Sequence, residues 1–313
     1  MPPICITVGD TAGIGPEVTF KALTNIQNHP GIILFMHESM INHQNNDLQL
    51  SIFDGQISPG EIKMVPVANN HTPNQNPNDP INATIAYDAL TEAINHCKKT
   101  QSSLVTAPIS KAGFLAANIP FTGHTTLLKK SFNCPNASMA FHSNQLNIVL
   151  STIHIPLNEV EQSLTPTIIK TTIMNAKTFG QTLGIEKPRI AIAGLNPHAS
   201  ENGQFGTFEN TVLTPLLEKL SITDASLQGP ISPDIVFRQA SEGMHDIVIA
   251  LYHDQGLIPV KLLAFDSAVN VTVGLPICRT SPDHGTAYDI AGKNIANPSA
   301  MTAAINYAIQ YGS

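Results

Sequence analysis

The feature that most constrains this chain is the alternation of short, β-branched apolar runs with longer stretches of helical periodicity. That alternation predicts a layered α/β protein. An Asn- and Pro-rich stretch at residues 69–82 predicts a surface loop. Strands are predicted at 4–8, 31–36, 104–106, 148–154, 189–193 and 246–252, and helices from about 16 and at 83–99, 165–183, 210–220 and 300–309.

Length and composition predict more than one folded unit. The 313 residues exceed the usual size of a single core, and 42% are hydrophobic. We expect a first α/β domain at 1–127 plus 288–313, and a second at 128–287. Only 12% of the residues are charged, which favours a homo-oligomer because subunit interfaces are depleted in charge.

Several classes of protein are disfavoured by the same sequence. The net charge of −7, without a basic stripe, argues against nucleic-acid binding. No apolar run approaches the roughly 20 residues that a membrane span needs. The first residues lack the basic region and cleavage site of a signal peptide. The four cysteines, Cys5, Cys97, Cys134 and Cys278, are scattered singly, which is typical of reduced thiols, so we expect a cytoplasmic protein with no membrane partner.

Residues 8–18, VGDTAGIGPEV, join the first predicted strand to the first predicted helix. Backbone amides in such a glycine-rich turn can face an anion. The glycine spacing matches neither the dinucleotide fingerprint nor the P-loop. The segment is therefore either an anion-binding turn or simply a tight connection between strand and helix.

Three histidines follow three of the predicted strands: His154, His198 and His253. A single such histidine is more often a structural residue. Three together, at strand ends where sites of open α/β sheets assemble, predict a catalytic metal site with open coordination positions. Nitrogen ligands favour zinc, cobalt or nickel over magnesium. Asp254 could orient His253 or accept a hydrogen bond from a backbone amide.

Polar residues in apolar surroundings predict an anion site. Lys261, Asn270 and Arg279 lie in the apolar stretch after His253, where a cation needs an anionic partner unless it reaches the surface. His124 and Thr125 form a polar pair after Gly123, although Thr125 could instead cap a helix. Residues 281–301 predict a constrained loop that a ligand could approach at Gly285.

These residues lie in motifs that resemble the 4-hydroxythreonine-4-phosphate dehydrogenase family along nearly the whole chain. The motifs are GDTAGIGPE at 9–17, TAPISK at 106–111, GHT at 123–125, LNPHASENGQFG at 195–206, YHDQGLIPVK at 252–261 and VTVGLPICRTSPDHGTAYDIAGK at 271–293. The resemblance implies two α/β/α domains with a cleft between them, like isocitrate and isopropylmalate dehydrogenases. It also implies a homodimer with the active site at the subunit interface and metal ligands shared between subunits.

Site residues follow from the resemblance position by position. His154, His198 and His253 match the metal ligands, with zinc as the favoured metal and cobalt or magnesium as alternatives. His124, Thr125, Lys261, Asn270 and Arg279 match the substrate-binding positions. By a weaker likeness to isopropylmalate dehydrogenase, NAD or NADP would lie against His284, Gly285, Ala287, Asp289, Ile290 and Asn297.

The implied reaction is NAD-dependent oxidation and decarboxylation of 4-phosphooxy-L-threonine to 3-amino-2-oxopropyl phosphate in pyridoxal 5′-phosphate biosynthesis. Candidates for the catalytic base are Lys261, His124 and Asp254. The chain departs from the family at Thr11, Ser110, Thr126, Ser200 and Asn202. Alternatives are therefore a dehydrogenase of D-threonate or D-erythronate 4-phosphate on the same scaffold, or a catalytically silent homologue that binds metal or phosphate.

Overall fold

The structure, a computed structural model, describes residues 1–43, 48–221 and 226–312. The chain divides into two units, Met1–Pro135 with Leu275–Ser313, and Asn136–Gly274. The predicted divisions lay near 127 and 288. The difference assigns Arg279 and the segment after it to the first unit, because the strand that begins at Arg279 pairs with a strand of that unit.

The first unit begins with the predicted alternation of strands and helices. Its elements in chain order are β1 (Ile4–Thr7), α1 (Gly15–Leu23), β2 (Ile32–Met36), β3 (Leu50–Ile52), β4 (Ile62–Pro66), α2 (Pro80–Thr100), β5 (Ser103–Thr106), α3 (Lys111–Ala116) and α4 (His124–Ser131). The predicted loop at 69–82 ends earlier than expected, because Asp79 caps α2 by accepting a hydrogen bond from the Ile81 amide at 2.8 Å. Pro80 then occupies the first turn, which needs no amide donor.

The second unit is continuous in sequence. It contains β6 (Ser138–His142), β7 (Ile148–Leu150), α5 (Val160–Ser163), α6 (Pro166–Thr182), β8 (Ile190–Ala193), α7 (Thr214–Ser221), β9 (Leu227–Ile231), α8 (Pro233–Ser241), β10 (Ile247–Ala250), α9 (His253–Ala264) and β11 (Val269–Val273). Its strand order is β11-β6-β7-β10-β8-β9. The β7, β10, β8 and β9 strands are parallel, whereas β6 is antiparallel to both its neighbours.

Two predicted elements of the second unit were wrong in extent. The strand expected at 148–154 ends at Leu150, because consecutive amides, Ser151 and Thr152, donate to consecutive carbonyls, Ala250 and Leu251, which breaks the alternation of a strand. The helix expected at 210–220 begins as a π-helix over Glu209–Leu213 before α7 continues it.

The last segment of the chain completes the first unit. β12 (Arg279–Pro282) pairs in parallel with β5, and α10 (Ser299–Tyr311) packs on both strands and on α1. The strand order of this unit is β3-β4-β2-β1-β5-β12, and the paired strands in it are all parallel. The predicted apolar face of α2 is buried against it through Ala89, Leu90, Ala93, Ile94 and Cys97.

No helix within the described residues combines the length and the apolar character that crossing a membrane requires.

Candidate active site

Three parallel strands of the second unit lie side by side, and a histidine follows each of them. β10 lies between β7 and β8, so their carboxyl ends share one edge of the sheet. His154 follows β7, His253 begins α9 directly after β10, and His198 follows β8. This edge is where open α/β sheets bind ligands.

The imidazoles of His154 and His253 lie beside each other. Their ring centroids are 5.5 Å apart. His253 Nδ1 is 2.7 Å from Oδ1 of Asp254, which is 73% exposed. A carboxylate that accepts from Nδ1 fixes the ring orientation and leaves Nε2 for a ligand, as in the outer shell of many metal sites. This pair therefore fits part of a metal site.

His198 lies in a different kind of segment. Five consecutive residues, His198 through Asn202, have positive φ angles between 45° and 70°. None is glycine, and each such residue costs roughly 1–2 kcal/mol in a left-handed turn. His198 is exposed, its ring 6.4 Å from that of Phe205. Within the described part of this single chain, no three or more His, Cys, Asp or Glu side chains form a group that could hold a metal ion.

Two other predicted residues of the second unit are partly buried. Lys261 lies on α9 with its Nζ 5.1 Å from the centre of the Phe265 ring. Asn270 lies on β11, and its buried Oδ1 accepts no hydrogen bond from any described residue. Such an orphaned acceptor in a buried position is typical of a site that a ligand completes.

In the first unit, Arg279 is buried at the start of β12. The residue is 2% exposed, so its guanidinium does not reach the surface as the alternative interpretation required. Its Nη2 donates to Thr106 Oγ1 at 2.6 Å, at the end of the paired strand β5. Burial lowers the pKa of Arg279 to about 10. A buried guanidinium such as that of Arg279 is suited to binding an anionic substrate group.

His124 is half-buried at the N-terminus of α4. Burial first, and then the charges of Arg279 and Lys111, lower the pKa of its imidazole well below 6.5. Its Nε2 is buried and without a hydrogen-bond partner in the described chain. Gly123 is the N-cap of α4, so the neighbouring Thr125 does not serve as the cap. The neutral imidazole with an open nitrogen fits a polar substrate group.

Lys111 was missed by the sequence interpretation. It is exposed at the start of α3 and raises the positive potential at His124. A Cβ on Gly123 would lie 3.7 Å from its Cε, so the lysine stem runs alongside the GHT segment. The signal in the sequence was its place at the end of TAPISK, one of the family motifs, next to Ser110, which caps α3 through a hydrogen bond from the Gly113 amide.

The predicted cofactor segment follows β12. His284 Nε2 is buried without a hydrogen-bond partner in the described chain, and its Nδ1 lies 3.0 Å from the Gly285 carbonyl. A Cβ on Gly285 would meet nothing within 4 Å. Asp289 is exposed, the Ile290 amide donates to Ala287, and Asn297 Oδ1 accepts from the Ser299 amide at 3.0 Å. The open space at Gly285 and the orphaned His284 nitrogen both fit a ligand.

The glycine-rich segment after β1 holds this cofactor segment in place. Tyr288 donates to Asp10 Oδ2 at 2.7 Å, and burial raises the pKa of that carboxyl. The Ala296 amide donates to Glu17 at 2.7 Å, and Lys21 Nζ donates to the Ala296 carbonyl at 3.2 Å. The segment thus acts as a tight turn that supports residues 286–296.

Comparison with known proteins agrees with these assignments of fold. The family described as pyridoxal phosphate biosynthetic protein PdxA matches residues 20–308. The 4-hydroxythreonine-4-phosphate dehydrogenase of Synechocystis sp. is 38% identical, covering 99% of this chain and 95% of its own. The D-threonate 4-phosphate dehydrogenase of Salmonella typhimurium is 35% identical, with 98% of both chains covered.

A solved structure of the same family has a similar backbone fold. The crystal structure of 4-hydroxythreonine-4-phosphate dehydrogenase from Klebsiella pneumoniae has a TM-score of 0.88 and 32% sequence identity. The match covers 99% of this chain and 98% of that one. The mixed α/β fold predicted from the sequence is confirmed, and so is the family resemblance. This chain is an oxidoreductase and belongs to the family of the pyridoxal phosphate biosynthetic protein PdxA.

Proposed function

We propose that the protein oxidises and decarboxylates 4-phosphooxy-L-threonine with NAD, giving 3-amino-2-oxopropyl phosphate, carbon dioxide and NADH in pyridoxal 5′-phosphate biosynthesis. The observation that carries the proposal is the near-complete coverage of relatives named for this dehydrogenase activity. When bound, NAD supplies the hydride acceptor, and a divalent metal supplies a Lewis acid for the oxygen at the oxidised carbon.

His154, His253 and His198 are the proposed metal ligands. The 5.5 Å between the first two rings and the carboxylate behind His253 support the assignment. Zinc is the metal we propose, because imidazole donors suit it. Since these three rings do not form a group within one chain, we propose a homodimer in which ligands come from both subunits. The dimer is proposed to work in the cytoplasm.

The substrate anions are proposed to bind through the cationic and neutral residues that the family resemblance implies. Arg279 and Lys261 would each contribute charge-assisted hydrogen bonds of about 1.5–3 kcal/mol. His124, Thr125 and Asn270 would orient the hydroxyl and amino groups. Lys111 adds a further positive charge near His124.

The three candidate bases differ in their surroundings. Asp254 is engaged with His253 Nδ1, so we assign it to orienting that ring. The lowered pKa of His124 makes its imidazole a weak proton acceptor, which suits hydrogen bonding rather than base catalysis. Lys261 can accept the hydroxyl proton only as the neutral amine, so we propose it as the base in that form and as an anion-binding cation when it is protonated.

The test is a steady-state comparison of three substrates with NAD and added zinc. We expect NADH formation at 340 nm with 4-phosphooxy-L-threonine and a higher kcat/KM for it than for D-threonate or D-erythronate 4-phosphate. A higher kcat/KM for either sugar acid would replace the proposal with the alternative that the Salmonella relative represents. No NADH from any of the three would favour the silent homologue.

Substituting Gly285 by leucine tests the proposed cofactor segment. A Cβ there meets nothing within 4 Å, and the φ of Gly285 lies outside the left-handed region, so the fold should accept the side chain. We expect the KM for NAD to rise about tenfold, because the leucine side chain would occupy space proposed for the cofactor and a loss of roughly 1.4 kcal/mol in binding corresponds to that factor. The KM for the phosphorylated substrate and the urea midpoint serve as internal controls. An unchanged KM for NAD would contradict the proposal that the cofactor binds next to Gly285.

His124 gives a prediction for the pH dependence of stability. Because its pKa in the folded protein lies below 6.5, the unfolded chain binds more protons as the pH falls below 6.5. We therefore expect the free energy of unfolding to fall with decreasing pH in that range, with a contribution from this group of at most about 1.4 kcal/mol per pH unit. Urea titrations between pH 7.5 and 5.5 should give a shallower slope for His124→Gln than for the unsubstituted protein. Equal slopes would contradict the buried, neutral state of this imidazole.

A further inference from the structure

The residues that lead into the left-handed turn at His198 are hydrogen-bonded to a buried carboxylate, that of Glu209. Glu209 is 1% exposed and lies at the start of the π-helix Glu209–Leu213. We propose that Glu209 is a positioning residue, which holds this turn in place and thereby aims His198 at the metal. The inference rests on the proposed function, in which His198 is a metal ligand.

Both oxygens of Glu209 are used at the entrance to the turn. Oε1 accepts from the Leu195 and Asn196 amides, each at 2.8 Å. Oε2 accepts from Asn196 Nδ2 at 3.0 Å. Three donors compensate the burial of the charge. They also fix the backbone directly before Pro197, which starts the turn.

The far side of the turn lies against Gly194, and Gly194 is next to the same carboxylate. A Cβ on Gly194 would lie 2.8 Å from Ala199 Cα and 3.4 Å from Glu209 Oε1, so the turn folds back onto the end of β8. Gln255 reinforces this end, because its Nε2 donates to the Gly194 carbonyl at 2.7 Å. The backbone on either side of His198 therefore contacts a fixed framework with Glu209 at its centre.

The turn needs such support because its own residues disfavour it. Ser200 has a φ of 70° and is 0% exposed, and its Oγ has no hydrogen-bond partner in the described chain. Asn202 closes the turn with a φ of 55°. Left-handed non-glycine residues persist where the surroundings over-determine them. Glu209 contributes by fixing Leu195 and Asn196, the residues that lead into this turn.

The variant Glu209→Gln tests the inference with little change in shape. Its Oε1 can still accept from the two amides, but its amide nitrogen would face the Asn196 donor, so one contact becomes repulsive. We expect Co²⁺, added to the metal-free dimer, to bind about 10- to 100-fold more weakly, with an altered visible absorption spectrum. Hydrogen exchange at the Leu195 and Asn196 amides should become faster. If this variant does not fold, Glu209→Asp, whose shorter side chain cannot span all three donors, carries the same expectation.

Two further variants separate positioning from general stability. Glu242→Gln removes an exposed carboxylate of the same unit that pairs with Arg238, and it should leave the Co²⁺ spectrum and affinity unchanged. Ser200→Gly, added to Glu209→Gln, should restore part of the Co²⁺ affinity, since glycine adopts the left-handed conformation without penalty.

The outcomes distinguish this inference from the proposed function. Absence of Co²⁺ binding by the unsubstituted protein would overturn the metal site itself. Normal binding by the unsubstituted protein, with the same affinity, spectrum and amide exchange in Glu209→Gln, would overturn the positioning role alone.

Discussion

Replacing His253 by alanine is expected to remove the bound metal and to lower kcat by about a thousandfold or more. Lewis-acid stabilisation contributes several kcal/mol to such a transition state, and each 1.36 kcal/mol corresponds to a factor of ten. The His253 side chain is 38% exposed, so its loss should leave the fold intact. Elemental analysis after dialysis and steady-state turnover with saturating NAD are the measurements.

His71→Ala is the matched control for that variant. His71 lies in the first unit, and its hydrogen bonds with His37 and Ala68 use its backbone, so its imidazole can be removed without disturbing them. Metal content and kcat should both stay at the unsubstituted level. Retention of full metal content and turnover by His253→Ala would contradict the assignment of this residue as a ligand.

Replacing Arg279 by methionine is the second substitution with a large expected effect. Two charge-assisted hydrogen bonds of about 1.5–3 kcal/mol each would be lost from the enzyme–substrate complex, so kcat/KM should fall about 10²- to 10⁴-fold. The loss should be mainly in KM if the guanidinium binds substrate and transition state equally. Initial rates over a range of substrate concentrations measure both constants.

The control is Arg238→Met, which removes an exposed arginine with an i,i+4 partner in Glu242. Exposed pairs of this kind contribute little, so neither stability nor kcat/KM should change appreciably. A kcat/KM for Arg279→Met within threefold of the unsubstituted value would show that Arg279 is a structural cation. Its hydrogen bond to Thr106 would then be its main contribution.

The parts of the fold that the sequence predicted are those with a strong local signal. The helix α2 shows an apolar stripe over most of its 21 residues, which predicted a helix at 83–99, whereas its first turn from Pro80 was assigned to the preceding loop. The placement of His154, His198 and His253 after strands was equally readable. The adjacency of the strands that they follow comes from the order β7-β10-β8, which depends on pairing between distant segments.

Other features depend on contacts that no local pattern encodes. The strand ending at Leu150 is followed by apolar and β-branched residues that look like its continuation, and only the hydrogen bonds to Ala250 and Leu251 end it. The left-handed turn at 198–202 lacks the glycine that usually signals such a conformation until Gly203. The approach of the Lys111 side chain to Gly123 joins two segments that are separate in the sequence, so the motif alone did not place this charge near His124.

The first unit is built from two separate parts of the sequence, and this affects the order in which the chain folds during synthesis. Residues 136–274 are contiguous and can fold as soon as they leave the ribosome. Until β12 emerges, β5 has no neighbour on one side, although its four residues are buried in the finished protein. An unprotected strand edge is a site for pairing with other chains. A nascent chain that stalls before residue 279 would therefore expose the unpaired edge of β5, and we expect a chaperone to be needed there. Once the final helix has left the ribosome, β12 can pair with β5 and the edge is covered.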